Sequence, residues 1–330
     1  MTDHAPIARR RSGPRARPDR PRHLAPVSSN PDPGSTPGVV DGVALQTTGV
    51  GVRDGGRWVL SDCSLQIPTG SVVAVVGRNG AGKTTLLELM AGLRRPQAGS
   101  ITVLGESSFP AGSELLARVG FVGQDAALYR GLRVSELLKM GKRLNPGWDQ
   151  NYAVGRLRDR GVPFDVKFGK LSGGQQTQVA VVMALAKRPE LLLLDEPLAD
   201  LDPLARREVM GALMVDLAQR NVTVVLSSHS LSDLTRACDW LILVDSGRVL
   251  LANSIDDLLT GHQLLTGPVE LVERVVDRHV VIAMHRGDRQ AILLVEGEDP
   301  GIRNDPRWDV RQPTVEDLVF GYMTIQQGAS

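Results

Sequence analysis

The run Gly77-Arg78-Asn79-Gly80-Ala81-Gly82-Lys83-Thr84-Thr85 carries the residue types that hold a polyphosphate. Glycines let the backbone wrap tightly, so that consecutive N–H groups point at phosphate oxygens. Lys83 supplies a mobile cation for the β- and γ-phosphates, and the Thr84 hydroxyl is a ligand for Mg²⁺. The pattern G-x-x-x-x-G-K-[ST] has this meaning only between a strand and a helix. The apolar run Ser71–Val76 before it and the helical pattern of Leu86–Leu93 after it supply both.

A second segment, Leu191-Leu-Leu-Leu-Asp195-Glu196-Pro197, ends an apolar strand in two carboxylates. Asp195 then stands at the carboxyl edge of a sheet beside the phosphate loop, where it can hold the Mg²⁺ shell. Glu196 can orient or deprotonate a water that attacks the γ-phosphate.

These residues need a scaffold of strands ending at one edge. Val43–Val50, Trp58–Ile67 and Ser71–Val76 read as strands, as do Glu190–Leu194 and Val222–Ser227, with a helix over Pro203–Gln219 between the last two. The uniformly apolar runs fit strands buried on both faces, and the strand–helix–strand order predicts a parallel sheet covered by helices. Arg133–Arg160 reads as mainly helical. Beyond about residue 262 the chain reads as a separate unit, with strands over Val269–Met284 and Ala291–Val295 and a closing helix over Thr314–Met323.

Leu171-Ser172-Gly173-Gly174-Gln175 separates this chain from other phosphate-loop proteins. With it, the sequence resembles the ATP-binding subunit of an ABC transporter over roughly residues 43–262. The resemblance rests on motifs in one order: the phosphate loop, Phe121-Val-Gly-Gln124, the LSGGQ signature, the LLLLDEP strand, Asp202 in the loop after it, and Val224-Val-Leu-Ser-Ser-His229. It implies an α/β fold with a RecA-like P-loop NTPase core of parallel strands, an antiparallel β subdomain and an α-helical subdomain at about 125–180. A small α+β domain at 263–330 completes it.

The resemblance also implies the mechanism. Two subunits sandwich ATP, with Lys83, Thr84 and Thr85 on one side and Leu171 to Gln175 of the partner on the other. Gln124 contacts Mg²⁺ and reports nucleotide state to transmembrane permease subunits, and His229 contacts the γ-phosphate. Thr84, Gln124 and Asp195 form the Mg²⁺ set. Such a subunit is an ATPase working in the cytoplasm, peripheral on the inner membrane face through its permease. Pro313-Thr-Val-Glu-Asp-Leu-Val-Phe-Gly-Tyr322 resembles the tails of bacterial exporter ATPases of the ABC-2 type, which implies export.

The chain departs from the family pattern at three places. Asp54 stands where an aromatic residue usually stacks on adenine; Trp58, four residues later, is either its substitute or a strand residue packing on the sheet. The loop after Glu196 reads Leu198-Ala-Asp-Leu-Asp202, and Gln176-Thr-Gln178 replaces a basic residue after the signature.

Composition bounds the alternatives. The 330 residues are 42% apolar and 23% charged with a net charge of +1, which gives no whole-chain field to recruit nucleic acid. Residues 1–40 hold seven Arg against three Asp among many Pro and Gly, the composition of a disordered arm, solvated or touching nucleic acid or anionic lipid. Cys63 and Cys238 make no disulfide framework or zinc site, and no run approaches the ~18 apolar residues of a membrane span. A soluble ABC-type ATPase acting on nucleic acid or ribosomes is the competing reading. It fits less well, because one phosphate loop and one signature occur without tandem duplication or a long coiled coil. A kinase or GTPase has no use for LSGGQ.

Overall fold

A computed structural model describes residues 42–124, 128–199, 201, 203–218, 222–228, 231 and 237–325. The chain divides into two units, Met1–Asn30 and Pro31–Ser330, and every described residue belongs to the second. The arm expected over 1–40 lies outside the described residues.

Three sheets organise that unit. β1 (Val43–Asp54), β2 (Arg57–Pro68), β4 (Ala98–Val103) and β5 (Glu106–Ser107) form an antiparallel sheet in the order β2-β1-β4-β5. The central sheet runs β10-β9-β3-β8-β7-β6, from β3 (Val72–Val76), β6 (Val119–Val122), β7 (Leu191–Leu194), β8 (Thr223–Ser227), β9 (Trp240–Asp245) and β10 (Arg248–Ser254). β6, β7, β8, β3 and β9 are mutually parallel, and β10 closes one edge antiparallel to β9.

The apolar runs make sense in this sheet, because a parallel sheet is covered on both faces and successive side chains alternate between them. Ala74, Val76, Leu192, Leu194, Val224, Leu226, Leu241 and Leu243 face one core. Val73, Val75, Leu191, Leu193, Val225, Ile242 and Val244 face the other. The second core is filled by α1 (Lys83–Met90) and the antiparallel sheet. The first is filled by α5 (Gly173–Ala186), whose Val179–Ala186 segment is buried throughout.

Between β5 and β6 lies α2 (Ser113–Arg118). α3 (Val134–Leu144) and α4 (Gln150–Asp159) lie between β6 and α5, in the region expected to be helical. α6 (Pro203–Ala218) follows β7, and α7 (Ile255–Thr260) follows β10.

The third sheet, β12-β13-β11-β14, is built from β11 (His262–Pro268), β12 (Val280–Arg286), β13 (Gln290–Glu296) and β14 (Asp309–Arg311), all antiparallel. Of the strand pattern expected over Val269–Met284, only Val280–Met284 is strand, within β12. A short 3₁₀ turn at Val269–Leu271 and α8 (Val272–Val276) precede β12. Val272 and Val275 are buried while Glu273 and Arg274 are exposed, a three-residue spacing that belongs to a helix. After β13 come α9 (Pro300–Arg303) and the closing helix α10 (Val315–Ile325). Leu264, Ile282, Leu294, Leu318 and Val319 of this part share one apolar cluster with Leu241, Leu251 and Leu258. His262 is buried, its Nδ1 bonded to the Leu258 carbonyl at 2.7 Å and its Nε2 to the Tyr322 hydroxyl at 2.8 Å.

Candidate active site

Four adjacent parallel strands, in the order β6-β7-β8-β3, bring the candidate residues to one sheet edge. β3 leads into Gly77. The close approach of Gly77 to β9 admits no side chain, since a Cβ there would collide with the Val244 carbonyl oxygen. The loop ends at Gly82, whose φ of 106° and 2.7 Å spacing from a built Cβ to Leu60 Cδ2 again require glycine. No side chain caps the start of α1, so the positive end of the helix faces the loop. Arg78, Asn79, Gly80 and Thr84 are exposed, whereas Ala81, Lys83 and Thr85 are buried.

Lys83 reaches back across this loop. Its ammonium donates to the carbonyls of Gly77 at 2.9 Å and Arg78 at 3.3 Å. Its third neighbour is the Glu196 carboxylate at 3.4 Å. The phosphate loop and the acid pair predicted from separate motifs therefore meet.

Asp195 is buried at the end of β7, with its N–H bonded to the Val122 carbonyl of β6 at 2.8 Å. Its Oδ1 accepts from Ser227 Oγ at 2.7 Å, and its Oδ2 has no hydrogen-bond partner. A buried carboxylate oxygen left open is costly unless a ligand shell completes it. Together with the exposed Thr84 hydroxyl, that donor set fits Mg²⁺, which is held by few protein oxygens plus phosphates and water. Among the described residues no group of three or more acidic, His or Cys side chains could hold a metal.

Ser227 is the residue that motif reading missed. Its Oγ donates to Asp195 and accepts from the Glu196 N–H at 2.8 Å, so a single hydroxyl ties the Asp195 carboxylate to the backbone of Glu196. The available signal was a polar residue ending a buried strand, which carries little weight by itself.

Gln124 is exposed two residues past β6, at the same edge. The signature occupies the start of α5: Ser172 Oγ accepts from the Gln175 N–H at 3.3 Å, and Gln175 Oε1 accepts from the Ser172 N–H at 3.2 Å. This reciprocal capping fixes the helix terminus that Ser172, Gly173, Gly174 and Gln175 present. Leu171 is buried beneath it. Asp202 and His229 lie outside the described residues. Trp58 is 46% exposed, with the Arg53 guanidinium 4.2 Å from its ring centroid. The Trp58 ring lies against Gly51 of β1, 2.7 Å from a Cβ built there, while the next residue, Val59, puts its carbonyl oxygen 3.0 Å from a Cβ built on Gly82 of the phosphate loop.

The ABC transporter family profile matches residues 60–199. The chain is 39% identical over 211 residues to the aliphatic sulfonates import ATP-binding protein SsuB of Cupriavidus necator, spanning 63% of this chain and 68% of that protein. It belongs to the ABC transporter ATP-binding family. To the molybdenum import ATP-binding protein ModC of Paramagnetospirillum magneticum it is 35% identical over 222 residues, spanning 63% of this chain and 61% of that protein. The solved structure of an ATP-binding subunit of an ABC transporter superposes with a TM-score of 0.59 at 26% identity, covering 65% of this chain and 91% of that one. This ABC subunit is thus an ATP-binding ATPase that dimerises and works with transmembrane permease subunits. Among the described residues no helix is long and apolar enough to cross a membrane.

Proposed function

We propose that this ABC subunit clasps ATP between two copies of the site, with Lys83, Thr84 and Thr85 on one side and the partner's signature on the other. Gly77 to Gly82 wrap the phosphates with backbone N–H groups. Glu196 takes the proton of the attacking water, and Ser227 holds its backbone N–H. Thr84, Asp195 and Gln124 hold Mg²⁺, which when bound neutralises charge developing on the phosphate oxygens. His229 meets the γ-phosphate, and Asp202 lies in the loop between the paired sites. Trp58 serves the adenine. The observation that carries this reading is the Lys83–Glu196 ion pair, because it places the assigned base at the cation that binds the γ-phosphate.

The subunit sits in the cytoplasm, bound to the inner membrane face through its permease. Its domains are an ATPase core at 41–262 with a helical subdomain near 125–180, and a carboxyl-terminal part at 263–330. Glu196→Gln tests the reading: MgATP should convert the variant to a stable dimer without turnover. A variant that hydrolyses at the wild-type rate, or stays monomeric with its permease supplied, overturns it.

Direction has two supports of unequal length. The Pro313–Tyr322 ending favours export. The import proteins for sulfonates and molybdenum match over 211 and 222 residues, far more of the chain, and favour import. We take import as the better-supported direction. Reconstitution with the permease in vesicles, reading which side loses cargo, decides between them.

A further inference from the structure

The stretch after Glu196 is held by a side chain from the next helix. Glu196 has a backbone φ of 45°, a left-handed conformation that a non-glycine residue keeps only where its surroundings impose it. Before it, the Ser227 hydroxyl binds the Glu196 N–H. After it come two hydrogen-bonded turns: the Ala199 N–H donates to the Glu196 carbonyl at 3.1 Å, and the Leu201 N–H to the Leu198 carbonyl at 3.2 Å. Neither turn belongs to a helix or a sheet.

Arg206 of α6 fastens this path. Its Nε donates to the Leu201 carbonyl at 2.9 Å and its Nη2 to the Ala199 carbonyl at 3.1 Å. One planar guanidinium thereby spans two carbonyls of the loop, a fork that a lysine ammonium does not reproduce. The far end of the loop abuts the signature. Leu201 is buried, and its Cδ2 is 3.4 Å from a Cβ built on Gly174. Glu196 of one site and Gly174, which in the dimer serves the other, are therefore joined by the short stretch Glu196–Leu201.

We propose that Arg206 is a positioning residue for ATP hydrolysis: by bridging the Ala199 and Leu201 carbonyls it fixes the loop that holds Glu196 in its left-handed conformation against the signature helix. This rests on the reading of Glu196 as the base. Arg206 touches neither phosphate nor water in this role, so its loss leaves ATP binding alone and slows the chemical step.

The test is steady-state ATP hydrolysis by the full-length Arg206→Ala and Arg206→Lys variants beside Glu196→Gln. Arg206→Ala should lower kcat about tenfold or more, the size expected from two lost hydrogen bonds, with KM for ATP held within about twofold. Arg206→Lys, which keeps the charge and one donor, should fall between Ala and wild type. An unchanged kcat, or a KM that rises as kcat falls, overturns the proposal. If Arg206→Ala does not fold, Arg206→Lys decides: a wild-type kcat, or a failure to fold as well, also overturns it. Glu196→Gln separates the two failures. If it retains turnover, the base assignment has failed; if it is inactive while Arg206→Ala is not, only the role of Arg206 has.

Discussion

The Glu196 carboxylate stands 3.4 Å from the Lys83 ammonium, so the acid that follows β7 is paired with the cation of the phosphate loop. Both side chains are largely buried, which makes their charges costly to leave unmatched. An incoming γ-phosphate competes with Glu196 for Lys83. Lys83→Ala should therefore weaken ATP binding about 10- to 100-fold, the worth of hydrogen bonds to a charged group. Glu196→Gln should tighten it, since one negative charge leaves the site. Equilibrium titration with a fluorescent ATP analogue reads both directions.

Ser227→Ala strips the hydroxyl that joins Asp195 Oδ1 to the Glu196 N–H. Two buried polar groups then lose a partner, at a cost of about 1–3 kcal/mol each. The expected outcome is a lower unfolding midpoint and a reduced kcat, both partly restored in Ser227→Thr. Thermal melts and steady-state hydrolysis check it.

Trp58→Ala should weaken ATP about 2- to 10-fold if its ring receives the base, the range for one aromatic contact. The Arg53 guanidinium stands 4.2 Å from the ring centroid, so a base stacking on that face would have to displace it. Comparing ATP with inorganic triphosphate isolates the base: affinity for triphosphate should not change. An equal loss for both ligands would assign Trp58 to strand packing.

The Cys238 thiol is pushed up to about 12 by burial, with the Asp239 carboxylate adding to the shift. Burial likewise raises Cys63 and Tyr322. The folded chain thus holds protons that the unfolded chain releases above the ordinary thiol value, so stability falls as pH rises. Thermal midpoints should decline from about pH 9 upward, and Cys238→Ala should flatten part of that decline. Iodoacetamide should label Cys238 slowly at neutral pH, with labelling accelerated by denaturant.

The site was legible where chemistry fixes residue types at fixed spacing. Gly77 to Thr85 and Leu191 to Glu196 could be placed on the ends of strands because phosphate and Mg²⁺ demand those groups, and the sheet brings them together. The central strands were legible because β7 and β8 are buried on both faces and read as unbroken apolar runs. Ser227 and Arg206 were not, since Arg206 binds backbone carbonyls and Ser227 joins a carboxylate to a backbone N–H across two strands, and no side-chain pattern advertises either. Val269–Met284 was misread for another reason: its valines suit strands, while their three-residue spacing suits a helix, and spacing prevailed at Val272 and Val275. The export expectation came from ten residues outside the site, whereas the sulfonate and molybdenum relatives that match over 211 and 222 residues are named as import proteins.

The apolar cluster shared by Leu241 and Leu251 with Leu264, Leu294 and Leu318 has a bearing on how the chain can be divided. A cut ahead of His262 would strip one wall from the interior behind β9 and β10 and leave the Leu258 carbonyl without its imidazole. β9 carries the Val244 carbonyl that crowds Gly77, and the turn after it donates from Gly247 N–H to the Ala81 carbonyl at 3.2 Å. The described residues from His262 onward are thus no detachable cap: they brace, from behind, the wall on which the nucleotide's cradle hangs.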